Sequence, residues 1–275
     1  MSAMPTSLET IVAATRRRLS ARDENGGRRM WMRELEVAAA RHTPRRFANQ
    51  LRRVSRNGIA IIAELKKASP SKGLIREEFK PAELAQELER AGASALSVLT
   101  DEQFFQGSLD YLRQTSSVSS LPCLRKDFIV DEIQILEARA NCADAILLIV
   151  AALEQKQLRA LAENARSHGL DVLCEAHDED ELQRALDAGC DLIGINSRNL
   201  HTFEVNLETA LELIGKIPET CVRVAESGIQ SGADLARLRS AGFDAFLIGE
   251  SLMRAKRPGE ALTKLVEEAR SAVSR

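Results

Sequence analysis

The sequence predicts an α/β protein, a (β/α)8 TIM barrel with an N-terminal helical extension, on the strength of three observations. Eight short apolar runs alternate with helix-like segments from residue 59 onward, and successive runs start about 26 residues apart, the size of one βα unit. A short motif recurs before every second run. Polar residues follow the carboxyl ends of the runs, which would share one face of a parallel barrel.

Length and composition fit this prediction. The chain has 275 residues, of which 44% are apolar and 28% charged, as expected for one globular unit with a large core. We expect residues 1–275 to form a single domain, with the extension at 1–58 and the barrel at 59–275. No apolar stretch approaches the ~20 residues that cross a bilayer, so no membrane contact is expected. The N-terminus has no signal-peptide pattern, and a cytoplasmic location follows as the expectation.

The extension is basic, whereas the rest of the chain is acidic. Residues 1–58 contain 13 Arg, no Lys and 5 acidic residues, although the whole chain has a net charge of −2. Such an arm is compatible with nucleic-acid binding. However, the segments RRRL and RELEVAAARH are typical of amphipathic helices with solvated Arg faces, and aromatic residues for base stacking are scarce. We therefore expect no nucleic-acid partner, and an arm that lends positive potential to an anionic small-molecule site.

The predicted strands and helices follow from local patterns. The eight apolar runs are 59–65, 94–99, 121–125, 144–150, 170–175, 191–195, 221–225 and 244–248. Between them, apolar residues recur at helical spacing, as in 158–165 and 182–186. Ser231 and Asp234 form a potential capping box, and Gly92, Gly189 and Gly242 stand where a left-handed helix end is expected. The stretch 250–257 has room for the short extra helix of phosphate-binding barrels.

The recurring motif supports a closed barrel over an open sheet. AGASAL (91–96), AGCDLI (188–193) and AGFDAF (241–246) match one another, and NCADAI (141–146) is a degenerate copy. All four copies introduce even-numbered strands. This regularity favours an eight-fold closed barrel.

Cysteine and histidine positions do not indicate a metal site. The five cysteines lie far apart, mostly in or beside apolar runs, which is typical of buried thiols in a reducing compartment. The four histidines, including His201, have no HExxH or similar spacing.

The polar residues at the strand ends predict the functional site. Side chains alternate along a strand, so Glu64 and Lys66 point to the same side just where the first apolar run stops. Further polar groups follow the other strands: Arg125-Lys126-Asp127, Glu175, Asn196-Ser197-Arg198, Glu226-Ser227-Gly228 and Gly249-Glu250-Ser251. Each has an ordinary explanation by itself; for Lys126 it is an ion pair with Asp127. Together, two Lys and three Glu on one face indicate a site for proton-transfer chemistry.

Two loops predict where a phosphate group would bind. ESGI after the seventh strand and IGES after the eighth bring small residues and backbone N–H groups to the same face. The Ser69–Gly73 loop can add a hydroxyl group and a cation. This order of loops indicates a phosphorylated small-molecule substrate.

The same residues resemble the indole-3-glycerol phosphate synthase family. The resemblance covers most of 59–255. It is carried by AELKKASPSKG (63–73), VLTDEQFFQGSLDYL (98–112), LRKDFIVDEIQILEARANCADAILLI (124–149), LCEAHDEDEL (173–182), IGINSRNL (193–200), AESGI (225–229) and IGESLM (248–253). It implies closure of 1-(2-carboxyphenylamino)-1-deoxyribulose 5-phosphate to indole-3-glycerol phosphate with loss of carbon dioxide and water. It implies no cofactor, no metal and a monomer.

The resemblance also implies roles for individual residues. Lys126 would be the general acid of ring closure and Glu175 the base of dehydration, with Glu64 and Lys66 beside the reacting centre. Asn196, Arg198 and Glu226 would contact the sugar hydroxyls and the carboxylate, and Phe105 and Phe128 would lie against the aromatic ring. The residues implied around the phosphate are Ser69, Ser227, Gly228, Gly249 and, through its backbone, Glu250.

Two alternatives remain open from the sequence. One is another phosphate-binding barrel of the same pathway, such as phosphoribosylanthranilate isomerase, whose chemistry needs a Cys/Asp pair at strand ends; here the first strand ends in Glu64 and Lys66. The other is a non-catalytic phosphate-ligand barrel, in which the Glu and Lys side chains need not converge.

Overall fold

A closed barrel of eight parallel strands forms the centre of the computed structural model, which describes residues 7–23, 27–199 and 204–273. The strands, β1 to β8 in chain order, are Ala60–Leu65, Ala95–Leu99, Cys123–Lys126, Ala145–Ile149, Asp171–Ala176, Leu192–Asn196, Val222–Glu226 and Ala245–Ile248. Each pairs with the next, and β8 closes the barrel on β1. All eight predicted runs are strands, so the predicted (β/α)8 barrel is confirmed. Leu200 and His201 lie outside the described residues.

Helices surround the barrel and form the extension. In chain order α1 to α13 are Leu8–Asp23, Gly27–Ala39, Phe47–Ser55, Pro81–Arg90, Glu102–Phe105, Leu109–Val118, Glu132–Ala140, Gln155–Ser167, Glu179–Asp187, Leu207–Leu213, Gly232–Ala241, Glu250–Arg254 and Pro258–Val273. Short 3-10 turns occupy Val150–Ala152 and Ile214–Lys216. After β1, Ala68–Ser69 pairs antiparallel with Gly73–Leu74. The short helix predicted after residue 250 is α12.

Alternation along the strands divides the core into two layers. In β1, Ile62 belongs to the barrel interior, whereas Ile61 and Ala63 pack outward with the surrounding helices. The next inward position after Ile62 is Glu64, which is 4% exposed. The interior is therefore apolar at its base and becomes polar at the carboxyl ends of the strands.

The base of the barrel is closed by the extension. Phe47 and Leu51 of α3 are fully buried and belong to the same cluster as the inward-facing strand residues. Burial of a large apolar side chain contributes about 1.5–3 kcal/mol, so these two residues help to anchor the extension. Only the opposite end of the barrel remains available for polar chemistry.

The recurring motif is explained by helix termination. Gly92, Gly189 and Gly242 all have positive φ angles, of 92°, 72° and 115°. Glycine adopts this left-handed conformation without the strain that a Cβ atom introduces. In the degenerate copy Cys142 takes the equivalent position with φ 65°. The motif is thus a helix end followed directly by a strand, and the same backbone turn persists where glycine is replaced.

Several arginines of the extension bind acidic groups of the barrel. Arg45 Nη2 lies 2.6 Å from Asp144 Oδ2, and His42 Nε2 lies 3.0 Å from Asp144 Oδ1. Arg28 Nη2 donates to Asp131 Oδ1 over 2.7 Å. Burial opposes ionisation of Asp144, but its hydrogen bonds with His42 and Arg45 outweigh this and lower its pKa. Part of the positive charge of the extension therefore stabilises its contact with the acidic barrel.

Two sequence expectations concern the environment of the chain. No helix within the described ranges is long and apolar enough to cross a membrane. Of the five cysteines, Cys142 is partly exposed and the other four are buried as free thiols. The prediction of buried thiols is confirmed for those four.

Candidate active site

Charged side chains from four strands converge at the carboxyl end of the barrel. The residues that line one cavity there are Glu64 of β1, Lys126 of β3, Glu175 of β5 and Glu226 of β7, with Lys66 just beyond β1 and Asn196 at the end of β6. Their positions follow from strand alternation, which turns every second side chain toward the interior. The strand ends predicted to form a site therefore do meet.

Lys126 is the centre of this cluster. Its Nζ atom donates to Glu175 Oε2 over 2.9 Å and lies 3.6 Å from Glu226 Oε2. The side chain is 14% exposed. Burial disfavours the ammonium group, but the charges of Glu175, Glu226 and Glu64 outweigh it and raise the pKa of Lys126. Lys126 is accordingly protonated at neutral pH and able to act as an acid.

A buried network outside the barrel fixes the end of β3. Arg125 is fully buried and donates through Nη2 to Asp127 Oδ2 and to Glu137 Oε2, each over 2.8 Å. Thr100 also donates to Asp127, over 2.6 Å. Asp127 is thus paired with Arg125, and Lys126, which lies between them in sequence, turns inward to Glu175. The simple explanation that Lys126 pairs with Asp127 does not apply.

Glu175 and Glu226 differ in their ionisation. Burial disfavours the Glu175 carboxylate, but the charge of Lys126 and the contact with His177 hold its pKa well below the usual value. Burial and the neighbouring Glu175 carboxylate raise the pKa of Glu226 to about 8. At neutral pH the pair therefore holds one proton, on Glu226. Such a pair supplies an acid and a base in one site.

Two glycines make room for the carboxylates. A Cβ atom on Gly194 of β6 would overlap Glu226 Oε1, and one on Gly249 would lie 2.5 Å from Glu64 Oε1. Glu226 Oε1 is buried and has no hydrogen-bond partner among the described residues. A buried polar atom without a partner is costly, which makes it a natural contact for a bound molecule.

Glu64 and Lys66 form a second ion pair at the cavity wall. Lys66 Nζ lies 2.7 Å from Glu64 Oε1, and the two side chains are 17% and 5% exposed respectively. This confirms that they point to the same side of β1. The site therefore contains two Lys–Glu pairs on different strands.

The inner part of the cavity has an apolar wall. Phe105 and Phe128 line it with ring centroids 5.9 Å apart, and Leu8 and Ile11 of α1 line it as well. Asp101 caps α5 by accepting from the backbone N–H groups of Phe104 and Phe105, over 2.6 and 3.2 Å, which orients this helix. The cavity encloses about 160 Å³. A cavity of about 150 Å³ is known to hold a benzene ring, so the inner part can hold one aromatic ring.

The outer part of the site is formed by the loops after β7 and β8. Small residues line it, Ser227, Gly228, Gly249 and Ser251 among them, together with charged side chains of both signs that include Lys72 and Glu250. Ser227 has φ 65°, an uncommon conformation for a residue with a side chain and often a mark of a functional loop. N–H groups in the first turn of α12 have no partner within the helix. These features suit an anion.

Arg198 and Asn196 connect the inner and outer parts. The backbone N–H of Arg198 donates to Asn196 Oδ1 over 3.1 Å, which holds the start of the loop after β6. The Arg198 guanidinium lies 4.0 Å from Glu250 Oε2. A cation therefore lies at the boundary between the apolar wall and the anion-binding loops.

All fourteen residues predicted from the sequence line this site. Twelve line the inner part, and Gly228 and Gly249 line the outer part. Ser69, predicted beside the phosphate, lies at the inner part, in the hairpin after β1.

Sequence reasoning missed Leu8, Ile11, Gly194 and His177. Leu8 and Ile11 gave no signal, because nothing local indicates that α1 covers the barrel mouth. Gly194 did carry a weak signal, because glycine within a strand often marks the close approach of another group. So did His177, which follows Glu175 by two residues and therefore points to the same side. Within the described ranges, no three His, Cys, Asp or Glu side chains are grouped so that they could hold a metal ion.

Comparison with known proteins agrees with the geometry. A model of the indole-3-glycerol phosphate synthase family matches residues 8–265. The indole-3-glycerol phosphate synthase of Koribacter versatilis is 56% identical over 263 residues, covering 96% of this chain and 100% of the relative. That of a Polaromonas species is 53% identical over 231 residues, covering 84% and 88% respectively.

Solved structures share the fold at lower identity. Thiamine phosphate pyrophosphorylase from Pyrococcus furiosus superposes with a TM-score of 0.60 at 16% identity, covering 79% of this chain and 98% of that one. A mandelate oxidase mutant superposes with a TM-score of 0.61 at 18% identity, covering 88% and 94%. At this identity the similarity concerns the barrel fold alone.

Proposed function

This chain belongs to the indole-3-glycerol phosphate synthase family, and from that premise we propose which of its residues carry the reaction. The enzyme is a carboxy-lyase of tryptophan biosynthesis. It converts 1-(2-carboxyphenylamino)-1-deoxyribulose 5-phosphate to indole-3-glycerol phosphate by ring closure, decarboxylation and dehydration. The observation on which the assignment of roles rests is the contact of Lys126 with Glu175 and Glu226 in one cavity.

Lys126 is the general acid of ring closure. A carbon–carbon bond forms between the aryl carbon that bears the carboxylate and the ketone carbon, and the ketone oxygen takes a proton from Lys126 Nζ. The raised pKa keeps Lys126 in its protonated form at neutral pH. Loss of carbon dioxide from the same aryl carbon then restores the aromatic ring.

Glu175 is the base of the dehydration step: it takes a proton from the ring CH2 group, and the hydroxyl group formed from the ketone leaves as water with a proton from Lys66, which lines the same cavity. While Lys126 is charged, it holds the pKa of Glu175 low, so Glu175 is a weak base. Once Lys126 has given up its proton, that charge is gone and the carboxylate becomes a stronger base. The order of the two steps therefore follows from one ion pair: acid catalysis by Lys126 activates Glu175.

The remaining polar residues orient the substrate. Glu226, which carries a proton at neutral pH, and Asn196 hydrogen-bond to the sugar hydroxyls. Lys66, held by Glu64, binds the carboxylate that is lost, together with Arg198. Each contact uses a side chain whose charge or proton complements the substrate group.

The two parts of the cavity hold the two ends of the substrate. The aromatic ring lies against the wall formed by Phe105 and Phe128. The phosphate binds at Ser227, Gly228, Gly249 and the first turn of α12, with Ser69 as a further hydroxyl donor. Holding both ends brings the aryl carbon to the ketone, and orientation of this kind can contribute ~7–11 kcal/mol at most.

We also propose a domain organisation, a location and an oligomeric state for this protein. Extension and barrel act as one domain, because Leu8 and Ile11 line the same cavity as the catalytic side chains. Arg28 and Arg45 are engaged with Asp131 and Asp144, which argues against a nucleic-acid partner. We further propose a cytoplasmic monomer that needs no cofactor.

The test is turnover of the carboxyphenylamino-deoxyribulose phosphate, followed by the fluorescence of the indole product. Lys126→Met should lower kcat by about 10²–10⁴, the range for loss of a general acid. Lys156→Met, on the exposed face of α8, is the matched control and should match wild type. Absence of product with wild type, or full turnover by Lys126→Met, would refute the assignment.

A further inference from the structure

His177 lies immediately behind the catalytic cluster and contacts Glu175. The residue follows β5, and its Nε2 atom is 3.4 Å from Glu175 Oε1, an ion-pair distance without hydrogen-bond geometry, since this buried Nε2 has no hydrogen-bond partner among the described residues. Glu175 Oε1 is the oxygen that Lys126 does not use, since Lys126 binds Oε2. The His177 and Glu175 side chains are 12% and 3% exposed, so water screens this contact little.

Glu181 fixes the position of His177. One oxygen of Glu181, Oε2, accepts from the backbone N–H of His177 over 2.8 Å and contacts ring atom Nδ1 over 2.9 Å. Glu181 itself lies in the first turn of α9, where its backbone N–H donates to the capping residue Asp178 over 2.8 Å. The imidazole ring is therefore attached to a helix end and cannot turn away from Glu175 without breaking these bonds.

Both ring nitrogens face carboxylates, which favours the imidazolium form. A neutral ring presents one nitrogen as an acceptor, and an acceptor next to a carboxylate oxygen is unfavourable. Burial disfavours the charge, but Glu175 and Glu181 outweigh this and raise the pKa of His177 to about 10. His177 thus adds a second positive charge to the site.

We propose that His177 is a positioning residue for Glu175, a fixed cation that holds one carboxylate oxygen so that the other faces Lys126 and the substrate. This role rests on the proposed function of Glu175 as the base. His177 touches neither the ketone nor the aromatic ring; it acts through Glu175. It keeps Glu175 ionised and oriented after Lys126 has lost its charge in ring closure, when no other cation contacts the carboxylate in the described structure.

Charged groups other than His177 face Glu175 mainly from across the cavity. Lys126, Glu226 and Glu64 face it across the cavity, and Glu181 lies behind His177. The flanking strands β4 and β6 have the sequences AILLI and LIGIN and contain no titratable side chain. In α9, Arg184 is directed away, toward the Leu153 carbonyl and Gln155. His177 is therefore the group whose removal should change the titration of Glu175 from this side.

The test is the pH dependence of kcat in His177→Gln, whose side chain is polar and of similar size but carries no charge. Catalysis requires ionised Glu175, so kcat falls on the acid side as Glu175 takes a proton. Without the cation, that limb should move to higher pH by about one unit, because a nearby opposite charge lowers a carboxyl pKa by roughly 1–3 units. We expect kcat on the acid limb to fall by up to about tenfold, in line with one unit, whereas kcat near pH 7, well above the pKa of Glu175, should change little and KM should stay within about twofold.

His168→Gln is the matched control, since His168 caps the C-terminus of α8, at the end of the barrel away from the site. It should leave both kcat and its pH profile unchanged. A His177→Gln profile that superposes on wild type would overturn the proposal, as would a change in KM alone. If wild type itself fails to turn over the substrate, the proposed function is refuted instead, so the two failures are distinguishable.

A second variant and a direct measurement cover the case in which His177→Gln does not fold. Glu181→Gln leaves the imidazole in place but removes a negative charge behind it; because His177 stays protonated at acid pH, the acid limb should stay or move slightly to lower pH, and a shift to higher pH would contradict a cationic His177. In wild type, nitrogen NMR of labelled histidine, assigned by the resonance that Glu181→Gln perturbs, should show a doubly protonated ring at pH 8. A neutral tautomer at that pH would overturn the proposal.

Discussion

The Glu226 carboxylate occupies the space that a side chain on Gly194 would fill. The two residues lie on neighbouring strands, β6 and β7, two register positions apart: Gly194 pairs with Val224, and Glu226 pairs with Asn196. A Cβ on Gly194 would nevertheless overlap Glu226 Oε1. Gly194 does not have a positive φ angle, so its backbone conformation does not require glycine. Glycine is required here because any side chain would occupy the space of the Glu226 carboxylate.

Gly194→Ala should therefore impair catalysis more than folding. The added methyl group displaces Glu226 from its contact with Lys126, so we expect kcat to fall at least about tenfold, with a loss of about 1–3 kcal/mol in the free energy of unfolding from overpacking. Steady-state kinetics and urea denaturation measure the two effects. Gly215→Ala is the control, since nothing lies within 4 Å of a Cβ there. Wild-type kcat in Gly194→Ala would show that the position of Glu226 is unimportant.

Arg125→Met should destabilise the fold strongly. The substitution preserves much of the side-chain volume but removes the buried cation that Asp127 and Glu137 share, which leaves Glu137 only the exposed Arg22 at 3.6 Å. Removal of one partner of a buried ion pair costs about 3–5 kcal/mol, which urea denaturation can measure. Arg113→Met is the control, because its pair with Asp110 is exposed and such pairs contribute about 0–1 kcal/mol. Equal losses for both variants would mean that the buried network does not support the end of β3.

Much of this architecture was predictable because it depends on local periodicity and on a symmetric topology. The eight runs and the strand-end residues follow from alternation, which is why Glu64 and Lys66 could be assigned to one side of β1. The partner of Lys126 could not be predicted, since Asp127 is adjacent in sequence while Glu175 is distant. The contribution of Leu8 to the cavity depends on how α1 docks, and no local pattern encodes that.

Because of Glu226, the free energy of unfolding of the wild type should fall with rising pH when it is compared with that of Glu226→Gln. The pKa of Glu226 is about 8 in the folded protein against an ordinary value of 4.5, so the folded state binds the proton more tightly. Its stabilising contribution is complete below pH 4.5 and is lost as the pH rises through 8. Between pH 5 and 9 the stability of wild type minus that of Glu226→Gln should drop by at least about 1 kcal/mol.

Urea denaturation across this pH range measures the difference. Glu219→Gln, at an exposed position, is the control and should differ from wild type by an amount that does not depend on pH. Parallel curves for wild type and Glu226→Gln would contradict the assignment of the shared proton to Glu226.

The outer part of the site should discriminate against added negative charge. Ser251 lines it from the first turn of α12, where an acidic residue does not disfavour a helix. Asp and Asn have nearly the same shape, so the pair Ser251→Asp and Ser251→Asn isolates charge. We expect Ser251→Asp to raise KM for the phosphorylated substrate at least about tenfold through repulsion of the phosphate, and Ser251→Asn to change it less than about threefold. kcat should change little in either variant, because the reacting atoms lie in the inner part. Equal KM values for the two variants would mean that the phosphate binds elsewhere, since only the charge distinguishes them.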